Sequence, residues 1–158
     1  MQTFSAHYQD LFPKIYSFIY YRVNDRQTAE DLTSQTFLKG FENFEHFDPT
    51  KASVKTWLYT IARNTLIDHF RKTRASVDLE AAEEVPSEEM ILESIIANEE
   101  NKELRALLST LPKDARSLIL MRLWDELSYQ EIAEITGKSE ASLKMTYSRA
   151  LTQLRNYE

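Results

Sequence analysis

Side chains that usually carry covalent or metal chemistry are few in this sequence and badly spaced for it. There is no cysteine, and His7, His46 and His69 lie at no metal-ligand spacing. Asp68 and His69 are neighbours, and on a helix adjacent side chains point apart. No glycine-rich phosphate loop or nucleophile motif is present. The chemistry on offer is that of contact. Between residues 51 and 72 the chain gathers cations (Lys51, Lys55, Arg63, Arg71, Lys72), aromatic rings (Trp57, Tyr59) and the amide of Asn64. Single-stranded nucleic acid is bound by such mixtures: cations hold phosphates, rings stack on bases, and amides bond to exposed base edges. The plainer alternative is an amphipathic helix whose basic end suits the macrodipole. Trp57 by itself reads as a core residue.

A second stretch, residues 128–150, has the layout of two short helices and a tight turn. Ser128 and Glu131 stand where a capping box requires them. Ile132, Ala133 and Ile135 give the first helix an apolar side, and Thr136-Gly137 stops it. Ser139 caps a second helix, whose Leu143, Tyr147, Ala150, Leu151 and Leu154 recur at helical spacing and face inward. Glu140, Lys144, Met145, Ser148 and Arg149 fall on the opposite side. This is a helix-turn-helix pattern, in which the second helix enters a DNA major groove. An ordinary helical hairpin is the alternative.

The elements that must position these residues are helical. Two glycines and four prolines leave few turns in 158 residues. Phe4–Arg22 reads as a helix that Pro13 should kink or restart. Asn24 is the expected cap of a second helix running to about Phe44. Its Ala29, Leu32, Thr36, Phe37, Gly40, Phe41 and Phe44 share one side. Asp31, Ser34, Gln35 and Leu38 share another, either a solvated face or a partner surface. Asp48-Pro49 breaks the pattern. Ser53 then caps a third helix to about Arg74, with Val54, Trp57, Leu58, Ile61 and Phe70 on its buried side. Leu104–Leu111, a helix from Pro112 to Trp124 and the helix-turn-helix complete the chain.

Charge is distributed unevenly. The net charge is −6. Residues 75–101 hold nine carboxylates and no lysine or arginine, whereas residues 1–74 and 104–158 are each slightly basic. The acidic stretch reads as a tether. Affinity for free DNA should be weak, since phosphate contacts dominate non-specific binding, and a larger partner is expected to hold the protein there. No signal pattern or membrane-length apolar run is seen, so a cytoplasmic protein is expected. The expected fold is all-α: two small helical domains, 1–75 and 102–158, joined by an acidic linker at 76–101, with the helix-turn-helix in the second. Neither an enzyme nor a cofactor is expected.

The order of motifs resembles a known family. Ala29-Glu30-Asp31-Leu32, Phe37-Leu38, Trp57-Leu58-Tyr59-Thr60-Ile61-Ala62-Arg63-Asn64, Asp68 and Phe70-Arg71-Lys72 look like region 2 of the sigma-70 family. Leu111-Pro112, Leu127-Ser128-Tyr129-Gln130-Glu131-Ile132-Ala133, Ser139-Glu140, Lys144 and Ser148-Arg149-Ala150 resemble region 4. With only a short linker between them, the chain is similar to the extracytoplasmic-function sigma factors. The resemblance implies that Asp31, Ser34, Gln35 and Leu38 dock on the β′ clamp of bacterial core RNA polymerase. It implies that the loop Asp48–Lys55, including Lys51, and Asn64 capture a flipped −10 base, while Lys55, Tyr59, Arg63, Arg71 and Lys72 bind the opened strand. It assigns Ser139, Glu140, Ser142, Lys144, Met145, Ser148 and Arg149 to duplex −35 DNA, and implies contact with the β flap, an acidic linker in the RNA channel and control by an anti-sigma factor. The chain departs from the family pattern at Ser34, where glutamine is frequent, and at Thr146, where arginine is. A stand-alone helix-turn-helix regulator is the alternative; it would not need residues 25–74.

Overall fold

The computed structural model describes residues 4–77 and 102–156. Among these every element is helical. The chain divides into two compact units; among the described residues the first contains three α-helices and the second four. Apart from its first two residues, which are helical, the acidic linker expected at 76–101 lies outside the described residues.

In the first unit α1 spans Phe4–Val23 and buries Leu11, Ile15, Phe18 and Ile19 at helical spacing. Of the two expected outcomes at Pro13, a restart does not occur: the helix runs through it. Pro13 and Gln9 are both exposed, so water can serve the Gln9 carbonyl that loses its intrahelical donor. The second cap also differs. Asn24 takes a left-handed backbone (φ 56°) and closes α1, its N–H donating to the Tyr20 carbonyl at 2.8 Å. Asp25 is the cap of α2 (Arg26–Asn43): its carboxylate accepts from the Thr28 N–H at 2.9 Å and the Thr28 hydroxyl at 2.6 Å. These bonds hold the Asp25 carboxyl below its ordinary pKa.

α2 buries Ala29, Leu32, Thr33, Thr36, Phe37 and Gly40. The Thr33 and Thr36 hydroxyls donate to the carbonyls four residues back, which lets them enter the core without orphaned donors. Gly40 permits a close approach: a Cβ there would lie 2.8 Å from Leu58 Cδ2 and 3.1 Å from the Phe4 ring. Phe41, on the same side of α2 as Phe37 and Gly40, is nevertheless 67% exposed. A 3₁₀ turn, Phe44–His46, leads to the loop, and α3 spans Val54–Val77. Ser53 caps α3 as expected, accepting from the Thr56 N–H at 3.1 Å. The buried line of α3 is Thr56, Leu58, Tyr59, Ala62, Thr65 and Leu66; Val54, Trp57, Ile61 and Phe70 are only half-buried. The helix packs on α1 and α2 together, and the side facing both is centred on Leu58, Ala62 and Leu66.

The second unit comprises α4 (Lys102–Leu108), α5 (Lys113–Ile119), α6 (Tyr129–Thr136) and α7 (Glu140–Asn156). Its core is built from Leu108, Leu111, Ala115, Leu118, Ile119, Leu120, Met121, Leu127, Ile132, Ile135, Leu143 and Ala150. The helix expected to continue to Trp124 widens after Ile119 into a π-helical turn, Leu120–Trp124. There the Asp125 N–H reaches the Leu120 carbonyl and the Leu127 N–H the Met121 carbonyl, both at 3.0 Å, while Glu126 adopts a left-handed φ of 56°. The chain thereby turns into α6. Near the other end of the unit, the Gln153 amide donates to the Thr110 carbonyl at 2.6 Å, tying α7 to the α4–α5 connection.

Candidate nucleic-acid interface

The helix-turn-helix forms from local signals. The Ser128 hydroxyl accepts from the Glu131 N–H at 3.1 Å, and the Glu131 carboxylate accepts from the Ser128 N–H at 2.9 Å, a complete capping box. Gly137 follows α6 in the left-handed region at φ 80°, its N–H donating to the Ala133 carbonyl. Nothing crowds its missing Cβ, so glycine is there for its backbone freedom. The Ser139 hydroxyl then accepts from the Ser142 N–H at 3.1 Å and starts α7. With Leu143 and Ala150 buried, Ser139, Glu140, Ser142, Lys144, Met145, Ser148 and Arg149 are all exposed. One helix and its cap therefore present all seven, and Met145 at 55% exposure is an open apolar contact among polar ones.

An aromatic and cationic cluster, not anticipated from sequence, supports this helix from behind. Arg122, in the π-helical turn, places its guanidinium 4.3 Å from the Tyr129 ring centroid and 5.6 Å from that of Tyr147, and donates to the Leu127 carbonyl at 3.0 Å. The two rings meet edge to face at 5.9 Å. The Lys144 ammonium lies 5.8 Å from the Tyr129 centroid. One arginine thus joins the turn, α6 and α7. Only the π-helical turn brings Arg122 to that place, and no periodicity in the sequence announces it.

In the first unit the candidate residues are dispersed over α3 and the loop before it. Asn64 and Arg71 lie seven residues apart on the outer face, both exposed, with Asp68 also on that face. Two turns of helix separate them by about 10 Å. Arg63 lies on one flank and is half-buried; Lys72 is exposed on the other. Lys51 is exposed in the loop, and Lys55 is half-buried in the first turn of α3. Tyr59 does not belong with them. It is 2% exposed and packs edge to face on Phe18 of α1 at 5.1 Å, because its position falls on the side of α3 that faces α1 and α2. Its ring is a core element and not a surface for stacking bases.

The face of α2 carrying Asp31, Ser34, Gln35 and Leu38 is exposed throughout, and Leu38 is 57% exposed. Ser34 and Leu38 also line a groove of about 650 Å³ between α2 and α1, shared with Phe4, Tyr8, Phe37 and Phe41. Among the described residues no group of three or more His, Asp or Glu side chains is placed to hold a metal ion, and no helix is long and apolar enough to cross a membrane.

Comparison with known proteins decides the family. Residues 7–76 match the family described as Sigma-70 region 2, and residues 101–154 match Sigma-70, region 4. The chain is 30% identical over 162 residues to the ECF RNA polymerase sigma factor SigM of Bacillus subtilis, covering 97% of this chain and 93% of that protein. This protein is an ECF sigma factor of the sigma-70 family. Similarity extends to the ECF sigma factor BldN of Streptomyces coelicolor, at 31% identity over 96% of this chain; the chain spans 59% of that relative's length. The fold is shared with the sigma factor RpoE solved with the anti-sigma factor NepR from Bartonella quintana (TM-score 0.65, 23% identity, 97% of this chain and 94% of that one). It is shared also with CnrH solved with the cytosolic domain of CnrY (TM-score 0.63, 17% identity, 98% and 86%). As a sigma factor the protein directs promoter-specific transcription initiation, with RNA polymerase and promoter DNA as its partners. A stand-alone helix-turn-helix regulator would leave the region 2 match unexplained.

Proposed function

We propose that the two units of this sigma factor divide the promoter between them: the first (residues 1–75) opens and holds the −10 element, and the second (102–158) reads the −35 element as duplex. The observation that carries this reading is the exposed face of α7, with six candidate contacts on one helix and the seventh, Ser139, at its cap. Such a helix fits a major groove, where Lys144 and Arg149 can meet phosphate or guanine and Met145 a thymine methyl. In the first unit Asn64, with the loop Asp48–Lys55, captures an unstacked base, and Lys51, Lys55, Arg63, Arg71 and Lys72 neutralise the opened strand. Unstacking costs about a few kcal/mol per step, which capture offsets. Tyr59 supports α3 from the core.

Asp31, Ser34, Gln35 and Leu38 form the face for the β′ clamp, and the second unit also contacts the β flap. The acidic tether, 76–101, runs through the RNA channel of the polymerase, whose basic walls suit nine carboxylates in residues 75–101. Polymerase supplies the affinity for DNA that a chain of net charge −6 lacks. The protein acts by binding, without catalysis or cofactor, in the cytoplasm. Since the sigma factor RpoE, which shares this fold, was solved with an anti-sigma factor, a partner of that class is expected here.

Run-off transcription with purified core polymerase on genomic fragments tests the reading. Discrete transcripts that depend on the protein support it, and Asn64→Ala should then impair opening while leaving core binding intact. Equal loss of both activities would make Asn64 structural and remove it from the capture site.

A further inference from the structure

We infer that Phe47 and Asp48 are positioning residues for the −10 capture loop, holding it in its binding shape before DNA arrives without themselves touching the base. The inference rests on the capture role proposed above for the loop Asp48–Lys55.

The loop is fastened at both ends and closed in the middle. At its start the Phe47 ring lies nearly parallel to Phe44, 5.7 Å between centroids and 10° between planes, and 5.1 Å from the Trp57 ring of α3. One side chain therefore ties the end of the α2 segment to the first turn of α3. Phe44 is itself fixed by Phe4, at 5.5 Å, and the Phe47 N–H donates to the Phe44 carbonyl at 3.1 Å. In the middle Asp48 Oδ1 accepts from both the Thr50 N–H (2.9 Å) and the Thr50 hydroxyl (2.6 Å), and the Lys51 N–H donates to the Asp48 carbonyl at 3.1 Å. Residues 48–51 thus form a closed turn with Pro49 at the second position, where its fixed φ is already correct. At the end Ser53 caps α3.

The turn leaves Pro49, Thr50 and Lys51 exposed. Lys51 is the first cation of the proposed strand-binding set, and Asp48 fixes its backbone. A loop already in shape avoids the ordering cost that a floppy one would meet on binding. The bonds from Thr50 also keep the Asp48 carboxyl below its ordinary pKa, so it stays ionised as an acceptor at neutral pH. An amide at the same position would keep an Oδ1 acceptor for Thr50. A role in positioning therefore survives Asp48→Asn, whereas a role for the carboxylate charge at the DNA does not.

The test uses full-length protein assembled with core polymerase on a promoter it transcribes. Opening is read by permanganate reactivity of unpaired −10 thymines, −35 occupancy by footprinting, and folding by thermal melting. Asp48→Ala should lower opening at least fivefold with melting and −35 occupancy unchanged. Asp48→Asn should restore opening to within twofold, and Phe47→Leu should lower it severalfold. Adding Lys51→Ala to Asp48→Ala should cost less than Lys51→Ala alone. Wild-type opening by Asp48→Ala would overturn the inference, and so would an Asp48→Asn variant as poor as Asp48→Ala. Asn64→Ala and Lys55→Ala, run alongside, separate the two claims. If they impair opening and Asp48→Ala does not, positioning fails while the capture site stands. If all three open normally, the capture site itself fails.

Discussion

The two candidate DNA-binding surfaces are built differently. In the second unit the seven candidate residues stand on one helix and its cap, Ser139, whose hydroxyl fixes the helix start by accepting from the Ser142 N–H three residues on. In the first unit the candidates are spread over a loop and several faces of α3, and their support comes from rings distant in sequence, as where Phe4 meets Phe44. The contrast fits the targets proposed for the two surfaces. A duplex groove is a continuous shape that one rigid helix can enter, whereas an unstacked base needs a pocket assembled from several segments. The first surface is therefore more sensitive to packing, and the second to its turn.

The largest expected effect probes that sensitivity at Tyr59. Truncation to alanine removes a fully packed ring from beneath the candidate surface and should destabilise the first unit by about 3 kcal/mol or more. Tyr59→Phe keeps the ring in place and should recover most of that stability and most of −10 opening. If Tyr59→Ala instead melts normally but cannot open promoters, the ring contacts DNA and the division between core and surface in α3 is wrong.

Gly137 is the corresponding point in the second unit. Alanine at φ 80° should cost about 1–2 kcal/mol, with asparagine costing less. The loss should appear in −35 footprinting and in melting of the second unit, while opening on a premelted −10 template stays unchanged. An unaffected Gly137→Ala variant would mean that the turn relaxes without moving α7. Next in size, Lys144→Ala should weaken −35 binding by about 1 kcal/mol and reduce its salt dependence by about one phosphate contact. A specificity change with an unaltered salt slope would place Lys144 on a base instead.

What could be read from the sequence divides along the same line. Ser128, Glu131, Gly137 and Ser139 act on neighbours three or four residues away, so their types and spacing specify the turn and the exposed face of α7. Ser53 was legible for the same reason. Tyr59 was not: only the joint packing of α1 and α2 decides which stripe of α3 is inside, and an aromatic residue suits either side. The same holds for Phe41, which shares a side of α2 with buried Phe37 although it rims an open groove. Asn24 and Asp25 are both good caps, and the left-handed backbone at Asn24, which closes α1, decides between them. The π-helical turn had no signal in composition, yet it delivers Arg122 to the rings behind α7.

The smallest expected effect separates the units by pH. All three histidines lie in the first unit, and the second has none. Burial lowers the pKa of His69 from its ordinary value of 6.5, because the charged form is disfavoured there. The unfolded chain then binds a proton more readily than the folded one. Stability from this group is complete above pH 6.5 and declines as pH falls through and below that value. The carboxyls of Asp25 and Asp48, both lowered, lose their contribution only at much more acid pH. Between pH 7.5 and 5.5 the first unit should therefore lose stability while the second does not. Trp57 fluorescence in a Trp124→Phe background reports the first unit, and Trp124 in a Trp57→Phe background the second. His69→Gln should flatten the pH dependence of the first unit alone. A slope that persists in His69→Gln would assign the effect to another group, and an equal slope in both units would remove histidine from the explanation.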